Sequence, residues 1–328
     1  MIKHITLILL SFFCITNAQI ALPTFQGVHK PHTMEASSLY DFTSQTFTNC
    51  GATGRNGPTL SNCTGDANYT DSWTDNTSYF NVPSDAGIQN WTVPQNGTYT
   101  IEVWGAQGGE DSEGFGARMK GDFNFSSGAV LKILIGQRGQ RHRYAMSGGG
   151  GTFIATSDNT PLIVAGGGGG TGWMGSTRRE TTDGDTLEAG RHGYYNNNSL
   201  NNGGTDGGGG TTSFAGSHGG GAGAGFTGNG DASNDSRGGT PVEPKSFING
   251  GVGGYTPSNY FDDAEYGGFG GGAAGGWGGA AGGGGYSGGG SDYNTGWSGG
   301  GGSYNSGTNQ SNSVGANSGD GKAVITIN

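Results

Sequence analysis

Charged side chains are scarce in this 328-residue chain, because they make up only 12 % of it, about half the usual globular share. Positive charge is the scarcer sign, with 15 Lys and Arg against 25 Asp and Glu and a net charge of −10. An acidic balance argues against nucleic acid and anionic membranes as partners. One local exception, the group Arg138, Arg141, His142 and Arg143, favours a solvated loop over a phosphate site.

The sequence also lacks the 3.6-residue apolar period that predicts amphipathic helices. Glycine is abundant instead, with 75 residues, and helix interiors do not tolerate glycine at such density. The strict Gly-X-Y period of collagen is absent as well. These absences exclude a helical bundle, a Rossmann-type enzyme and a collagen.

The amino terminus has the pattern of a secretory signal. A short basic start precedes an apolar core at 5–15, and small residues lead to a predicted cleavage after Ala18. The apolar run is too short to span about 30 Å of hydrocarbon. We therefore expect a signal peptide at 1–18, a linker at 19–39 and a secreted mature protein that does not insert into membranes.

Cysteine is rare, and its placement is informative. Of the three cysteines, Cys14 would leave with the signal peptide, whereas Cys50 and Cys63 would remain. Two cysteines in an exported chain favour one disulfide. The alternative, a metal site, lacks further cysteine or histidine ligands near by in the sequence.

Strand patterns occupy the first half of the chain. Residues 98–104 alternate apolar and polar side chains, as a half-buried strand does. A turn signal at Asn96-Gly97 separates them from 89–93, so the two runs are predicted to form a hairpin. These patterns predict an all-β domain at 40–165. Further strands are predicted at 129–135, 152–156 and 161–165.

Glycine dominates the second half, since 55 of the 75 glycines lie at 166–321. A strand-like run follows at 322–327, so this region is predicted to be an insertion closed by a strand at 322–328. Polyglycine favours an extended helix of three residues per turn that can pack at backbone contact distance. A flexible linker, the alternative, would contain few aromatic residues. We expect an ordered bundle of polyglycine-type helices.

Small and aromatic side chains have predicted places in such a bundle. The small residues expected inside it are Ala222, Ala224, Ala273, Ala274, Ala280 and Ala281. The aromatic residues expected to seal its rim are Phe214, Phe226, Phe269, Trp277, Tyr286, Trp297 and Tyr304.

A series of motifs resembles a known extracellular domain. The sequence Cys-Gly-Ala-Thr-Gly at 50–54, followed by Gly-Pro-Thr at 57–59 and by Cys63, is specific. The series resembles the glycine-rich extracellular domain of the anaplastic lymphoma kinase and leukocyte tyrosine kinase receptors. Further matching segments follow in order at 87–94, 97–101, 105–109, 131–139, 161–169 and 319–325.

The resemblance implies an architecture more than a function. In that family the domain combines a tumour-necrosis-factor-like β-sandwich with polyglycine helices inserted late in the sheet. The receptors also carry other ectodomains, a transmembrane helix, a kinase and extra cysteines in the glycine-rich region, and this sequence has none of them. Neither cytokine binding nor a kinase activity is therefore carried over.

Catalytic motifs are missing. Residues 270–275 fit G-x-G-x-x-G but neither follow a strand nor open a helix, and Ala323 after Gly321-Lys322 breaks the P-loop pattern. No nucleophile elbow is present, and no histidine has a partner at metal-ligand spacing. The sequence predicts no enzyme, no catalytic residue, no cofactor and no metal.

Two aromatic and polar stretches, at 191–198 and 255–266, lie between the glycine runs. Tyrosine with asparagine and glycine is typical of adaptable recognition loops. The alternative is that the rings cap the bundle while the asparagines form turns. The candidate binding residues are Arg191, His192, Tyr194, Tyr195, Tyr255, Tyr260 and Tyr266.

These features together predict a secreted, non-catalytic module for surface binding or adhesion, with a cell-surface protein or glycan as its partner. One alternative is a structural matrix or surface-coat component, which would self-associate. Ice binding is a further alternative, but threonine and alanine do not recur with a fixed period. A signalling ligand or receptor ectodomain has the least support.

Overall fold

Short strands and turns make up the structure, a computed structural model that describes residues 38–83, 87–109, 114–141, 145–172, 180–195, 198–212, 218–257, 263–293 and 296–328. The predicted signal peptide, most of the linker, Phe214 and Tyr260 lie outside these ranges. No helix within them is long and apolar enough to cross a membrane. The helical segments are α1 (Leu60–Thr64) and 3-10 helices at Ser72–Asp75, Glu180–Thr182 and Phe247–Asn249. The strands are β1 (Ser44–Phe47), β2 (Phe80–Asn81), β3 (Gln89–Thr92), β4 (Gly97–Trp104), β5 (Gly116–Phe125), β6 (Val130–Leu134), β7 (Thr152–Thr156), β8 (Pro161–Ala165), β9 (Gly193–Tyr195), β10 (Asn198–Asn201), β11 (Tyr255–Thr256), β12 (Glu265–Tyr266), β13 (Tyr304–Asn305), β14 (Ser313–Asn317) and β15 (Lys322–Ile327).

Most of these strands belong to two antiparallel sheets. One has the order β1-β15-β4-β5-β14, and the other has the order β13-β8-β7-β6-β3-β2. β15 is the strand that the sequence predicts after the glycine-rich region, and it lies inside the first sheet. There Ile325 pairs with Gln45 on one side and with Ile101 on the other.

The two sheets share one apolar core. Phe47, Tyr99 and Ile325 of the five-stranded sheet join Trp91 and Ile133 of the six-stranded sheet in one cluster of fully buried side chains. The rings of Trp91 and Tyr99 meet edge to face with their centroids 6.0 Å apart. Two antiparallel sheets over a common core are consistent with a β-sandwich. The tumour-necrosis-factor-like form stays a prediction.

The hairpin predicted from 89–93 and 98–104 is wrong. β3 and β4 are strands, but they belong to different sheets. Each carries one apolar face, and crossing between the sheets lets both faces meet in the core. The connecting segment is held by hydrogen bonds to its backbone, because Val93 N–H donates to Ala129 O at 2.8 Å and the Tyr99 hydroxyl donates to Gln95 O at 2.8 Å.

The outer face of the six-stranded sheet is buried as well. Phe153 and Val164 point away from the first core and pack in a second cluster with Phe226, Phe247 and Phe269. Strands buried on both faces explain the continuous apolar runs of β7 and β8. Phe226 and Phe269, which were expected at a rim, are buried against the sheet instead. Their side chains are 2 % and 0 % exposed.

Backbone hydrogen bonds join the glycine runs to one another. Gly284 N–H donates to Gly149 O at 2.9 Å, Gly167 N–H to Gly284 O at 2.7 Å, and Gly301 N–H to Gly167 O at 2.9 Å. Segments far apart in sequence therefore satisfy each other's backbone groups, as burial demands. The helical form of these segments stays a prediction. Six alanines expected among them are buried: Ala222, Ala224, Ala273, Ala274, Ala280 and Ala281.

Two strands within the predicted insertion at 166–321 extend the sheets. β13 pairs with β8, and β14 pairs with β5. Residues Ala36–Asn328 form one compact unit. The glycine-rich region is thus built onto the sheets at several points along its length.

Candidate binding site

Two of the candidate tyrosines face each other in a two-stranded ladder. Tyr255 of β11 pairs directly with Tyr266 of β12, and directly paired residues carry their side chains on the same face. Their half-buried rings stack with centroids 5.3 Å apart and planes 28° apart. The structure therefore brings Tyr255 and Tyr266 together as one aromatic surface, called here the tyrosine ladder.

An arginine that the sequence analysis missed lies over this aromatic pair. The guanidinium carbon of Arg55 is 5.4 Å from the centroid of the Tyr255 ring. Its Nε is buried and has no hydrogen-bond partner within the described part of the chain. Burial is the main cause that lowers the pKa of the Arg55 guanidinium from its ordinary value. Arg55 is thus a partly desolvated cation against a tyrosine face.

The disulfide loop that carries Arg55 is fixed by covalent and backbone contacts. The disulfide predicted between Cys50 and Cys63 is confirmed, with their Cα atoms 4.7 Å apart. Gly253 N–H donates to Arg55 O at 2.9 Å, and Phe269 N–H donates to Gly54 O at 2.8 Å. The loop is therefore docked onto the glycine-rich region next to the tyrosine ladder.

Removing the disulfide tests this arrangement. We expect the double variant Cys50→Ser/Cys63→Ser to unfold at a lower denaturant concentration, because a loop of this length contributes about 3 kcal/mol in the chain-entropy model. Equilibrium unfolding in urea measures the change. An unchanged midpoint would show that the backbone contacts at Gly54 and Arg55 suffice to hold the loop.

A cleft of about 480 Å³ adjoins the ladder and is called here the Tyr266 cleft. Its walls come from the disulfide loop, the segment after β6, strand β12 and the turn before β15. A pocket of this size suits a ligand of a few hundred daltons. The lining residues are Thr53, Gly54, Arg138, Gly139, Gln140, Tyr266 and Asp320.

Hydrogen bonds hold the polar walls of the Tyr266 cleft in place. Gln140 Oε1 accepts the Tyr266 N–H at 2.8 Å. The carboxylate of Asp320 accepts the Arg138 N–H at 2.8 Å and Asn49 Nδ2 at 2.9 Å. Hydroxyl and amide donors at the cleft are therefore presented by a fixed backbone.

Arg138 differs from the solvated loop residue that the sequence suggests. Its side chain is half buried, and its Nη2 donates to Gly109 O at 3.2 Å. Arg141 is exposed, whereas His142 and Arg143 lie outside the described residues. The basic group is thus divided, and only its first member lines the Tyr266 cleft.

The other predicted stretch is engaged inside the fold. Arg191 forms an ion pair with Asp185, with 2.9 Å between Nε and Oδ2, and His192 Nδ1 accepts the Gly203 N–H at 3.2 Å. Tyr194 exchanges backbone hydrogen bonds with Trp297. Within the described ranges, no hydrogen bond, ion pair or ring contact joins this group to the tyrosine ladder.

Two members of the predicted set can be located only in part. Tyr195 pairs through its backbone with Asn198, but its side chain lies outside the described part of the structure. Tyr260 lies outside it altogether. The candidate set as a whole stays a prediction, and the tyrosine ladder is the part of it that borders a cleft.

Comparisons with known proteins give a limited likeness. No protein-family model matches the chain. The leukocyte tyrosine kinase receptor of Mus musculus is 38 % identical over 99 residues, which is 29 % of this chain and 11 % of the receptor. The likeness supports a distant relationship to that receptor family. Together with the disulfide, it is consistent with an extracellular location.

Proposed function

We propose that this protein is a secreted, non-catalytic module that binds a glycan or protein on a cell surface through the Tyr266 cleft and the adjoining tyrosine ladder. Three observations support export and an extracellular function: the distant likeness to a receptor, the disulfide and the signal-like amino terminus. Cell-surface recognition is favoured over a purely structural role because a cleft with fixed polar walls adjoins the stacked aromatic pair.

One observation carries the proposal: the Tyr255–Tyr266 pair lies beside a cleft built by four separate chain segments. Tyrosine supplies a large contact area at a small cost in conformational entropy, together with a polar tip. The hydroxyls of Thr53 and Tyr266 and the amide nitrogen of Gln140 have no hydrogen-bond partner among the described residues. These groups are available to a ligand.

Binding of the purified full chain to intact cells, measured by flow cytometry over a concentration series, tests the function. We expect saturable binding that falls at least tenfold in Tyr266→Ala, since that change removes half of the aromatic surface. Tyr266→Phe, which keeps the ring, should retain most of the affinity. Thermal unfolding must show that both variants are folded.

Tyr194→Ala is the matched control, because Tyr194 belongs to the other candidate stretch and is held by Trp297. Binding lost only in Tyr194→Ala would move the site to residues 191–195. Absence of saturable binding by folded, oxidised protein would contradict the proposed function. Self-assembly without any other partner would then favour the structural role.

A further inference from the structure

Among the described residues, Arg55 and Arg237 each lie over an aromatic ring, and they differ in their other partners. The guanidinium carbon of Arg237 is 4.8 Å from the Trp277 ring centroid, and the same guanidinium binds Asp235 through two hydrogen bonds of 2.8 and 2.5 Å. Arg55 lies over Tyr255 but has no carboxylate or carbonyl acceptor for its guanidinium among the described residues. Arg237 is compensated within the fold, whereas Arg55 is not.

An uncompensated guanidinium that is partly buried loses hydration without regaining hydrogen bonds. The planar fork of its donors matches a carboxylate, which can accept two parallel hydrogen bonds from it. A carboxylate bound at the two Nη nitrogens of Arg55 would supply a counter-charge to this partly desolvated cation. The arginine is therefore placed for a ligand anion more than for the stability of the free protein.

The surroundings restrict the chemistry of that anion. Asp320 and Arg138 both line the cleft and offset each other in charge, whereas the chain as a whole carries a net charge of −10, so a singly charged anion meets less repulsion than a phosphate or polysulfate of higher charge. The remaining groups, the Thr53 and Tyr266 hydroxyls and the Gln140 amide, suit neutral hydroxyl groups. The tyrosine rings can cover the apolar face of a sugar ring.

We propose that the ligand of this site is a singly charged acidic saccharide, a sialic or hexuronic acid residue whose carboxylate pairs with Arg55. The proposal rests on the proposed function and names its ligand class. The sugar ring packs on the tyrosine ladder, and its hydroxyl groups hydrogen-bond to the walls of the Tyr266 cleft.

Titration calorimetry with two acids and their esters tests the proposal on the full chain. The probes are the methyl glycosides of N-acetylneuraminic acid and of glucuronic acid, each compared with its methyl ester, which has nearly the same shape without the charge. At least one acid should bind saturably, and its ester should bind at least tenfold more weakly.

Arg55→Gln should remove the preference for the acid over the ester. Arg55→Lys should keep part of this preference, because the lysine ammonium is still a positive point charge. Arg237→Gln is the matched control and should leave the preference unchanged. The unfolding temperature separates the roles of the two arginines. It should stay equal or rise in Arg55→Gln, but fall in Arg237→Gln, because the latter leaves the buried Asp235 unpaired.

Each other outcome overturns the inference in a distinguishable way. Cell binding without acid binding would contradict the ligand class and leave the function in place. Absence of both cell binding and acid binding would contradict the proposed function as well. An acid preference that survives in Arg55→Gln would assign the carboxylate to another residue. A fall in unfolding temperature equal to that of Arg237→Gln would make Arg55 a structural residue.

Discussion

Gly223→Ala is expected to destabilise the native fold by at least about 3 kcal/mol, since overpacking against immobile backbone lies at the costly end of such changes. A Cβ at position 223 would overlap the carbonyl oxygen of Gly283 and lie 3.1 Å from the nitrogen of Gly289. Neither atom can move freely, because the Gly289 N–H donates to Gly283 O at 2.9 Å and the Gly223 N–H donates to Gly289 O at 2.8 Å. Equilibrium unfolding in urea measures the loss.

Gly219→Ala provides the control from the same glycine-rich region. The nearest atoms to its Cβ would be those of Asn234 and Asp292 at 3.7 to 3.8 Å, which is ordinary contact. Alanine also restricts the unfolded chain, so this variant should lie within about 1 kcal/mol of the parent and is expected on the stable side. Equal losses in both variants would contradict close backbone packing as the reason for the glycines.

Asp292→Asn is expected to change how stability depends on pH. Asp292 is 1 % exposed, its Oδ2 accepts the Gly296 N–H at 2.7 Å, and its Oδ1 has no partner among the described residues. Burial raises the pKa of Asp292 from 3.8 to about 7, although backbone N–H groups such as that of Gly296 oppose the shift. The folded protein therefore holds this carboxyl neutral over a range in which the unfolded chain ionises it.

The direction of this pH dependence follows from the linkage between proton binding and folding. Below pH 4 the carboxyl is neutral in both the folded and the unfolded state, so it does not reduce the free energy of unfolding. Between pH 4 and 7 only the unfolded chain ionises, and stability falls by on the order of 4 kcal/mol in all. Asp292→Asn should lack this fall and should gain on the parent from pH 4 to pH 8, as urea unfolding at several pH values measures.

Asp122→Asn is the control of opposite sign. Hydrogen bonding from Thr100 is the main cause that lowers the pKa of Asp122, so its contribution is lost as the pH falls. Removing Asp122 should therefore reduce the loss of stability as the pH falls to acid values, whereas from pH 5 to 8 it should lower stability by an amount that does not change with pH. A parent protein whose stability relative to Asp292→Asn is constant from pH 4 to 8 would contradict a neutral buried carboxyl.

The strands could be predicted because alternation and apolar runs are local signals. β4, β6, β7, β8 and β15 lie where the sequence places them. Strand pairing was harder, since the turn signal at Asn96-Gly97 indicates a change of direction but does not say whether the next strand joins the same sheet. That choice was decided by Trp91 and Tyr99, whose side chains both need the inter-sheet core.

The site was predictable only in its chemistry. The composition around Tyr255 and Tyr266 indicated recognition, yet it does not give their register. The approach of Arg55 to Tyr255 depends on a contact between segments far apart in the sequence. Arg55 followed no pattern that separates it from other surface arginines. Its position inside the loop closed by Cys50 and Cys63 was the one available signal, because a short closed loop restricts where its side chains can lie.

The place of β15 between β1 and β4 has a consequence for protein synthesis. Ser44 pairs with Thr326, which the ribosome adds 282 residues later. Until that strand emerges, β1 has no neighbour and β4 keeps one open edge, and open edges are templates for pairing with other chains. The nascent protein must therefore carry an unfinished sheet through translation of the whole glycine-rich region, and its final folding begins only afterwards.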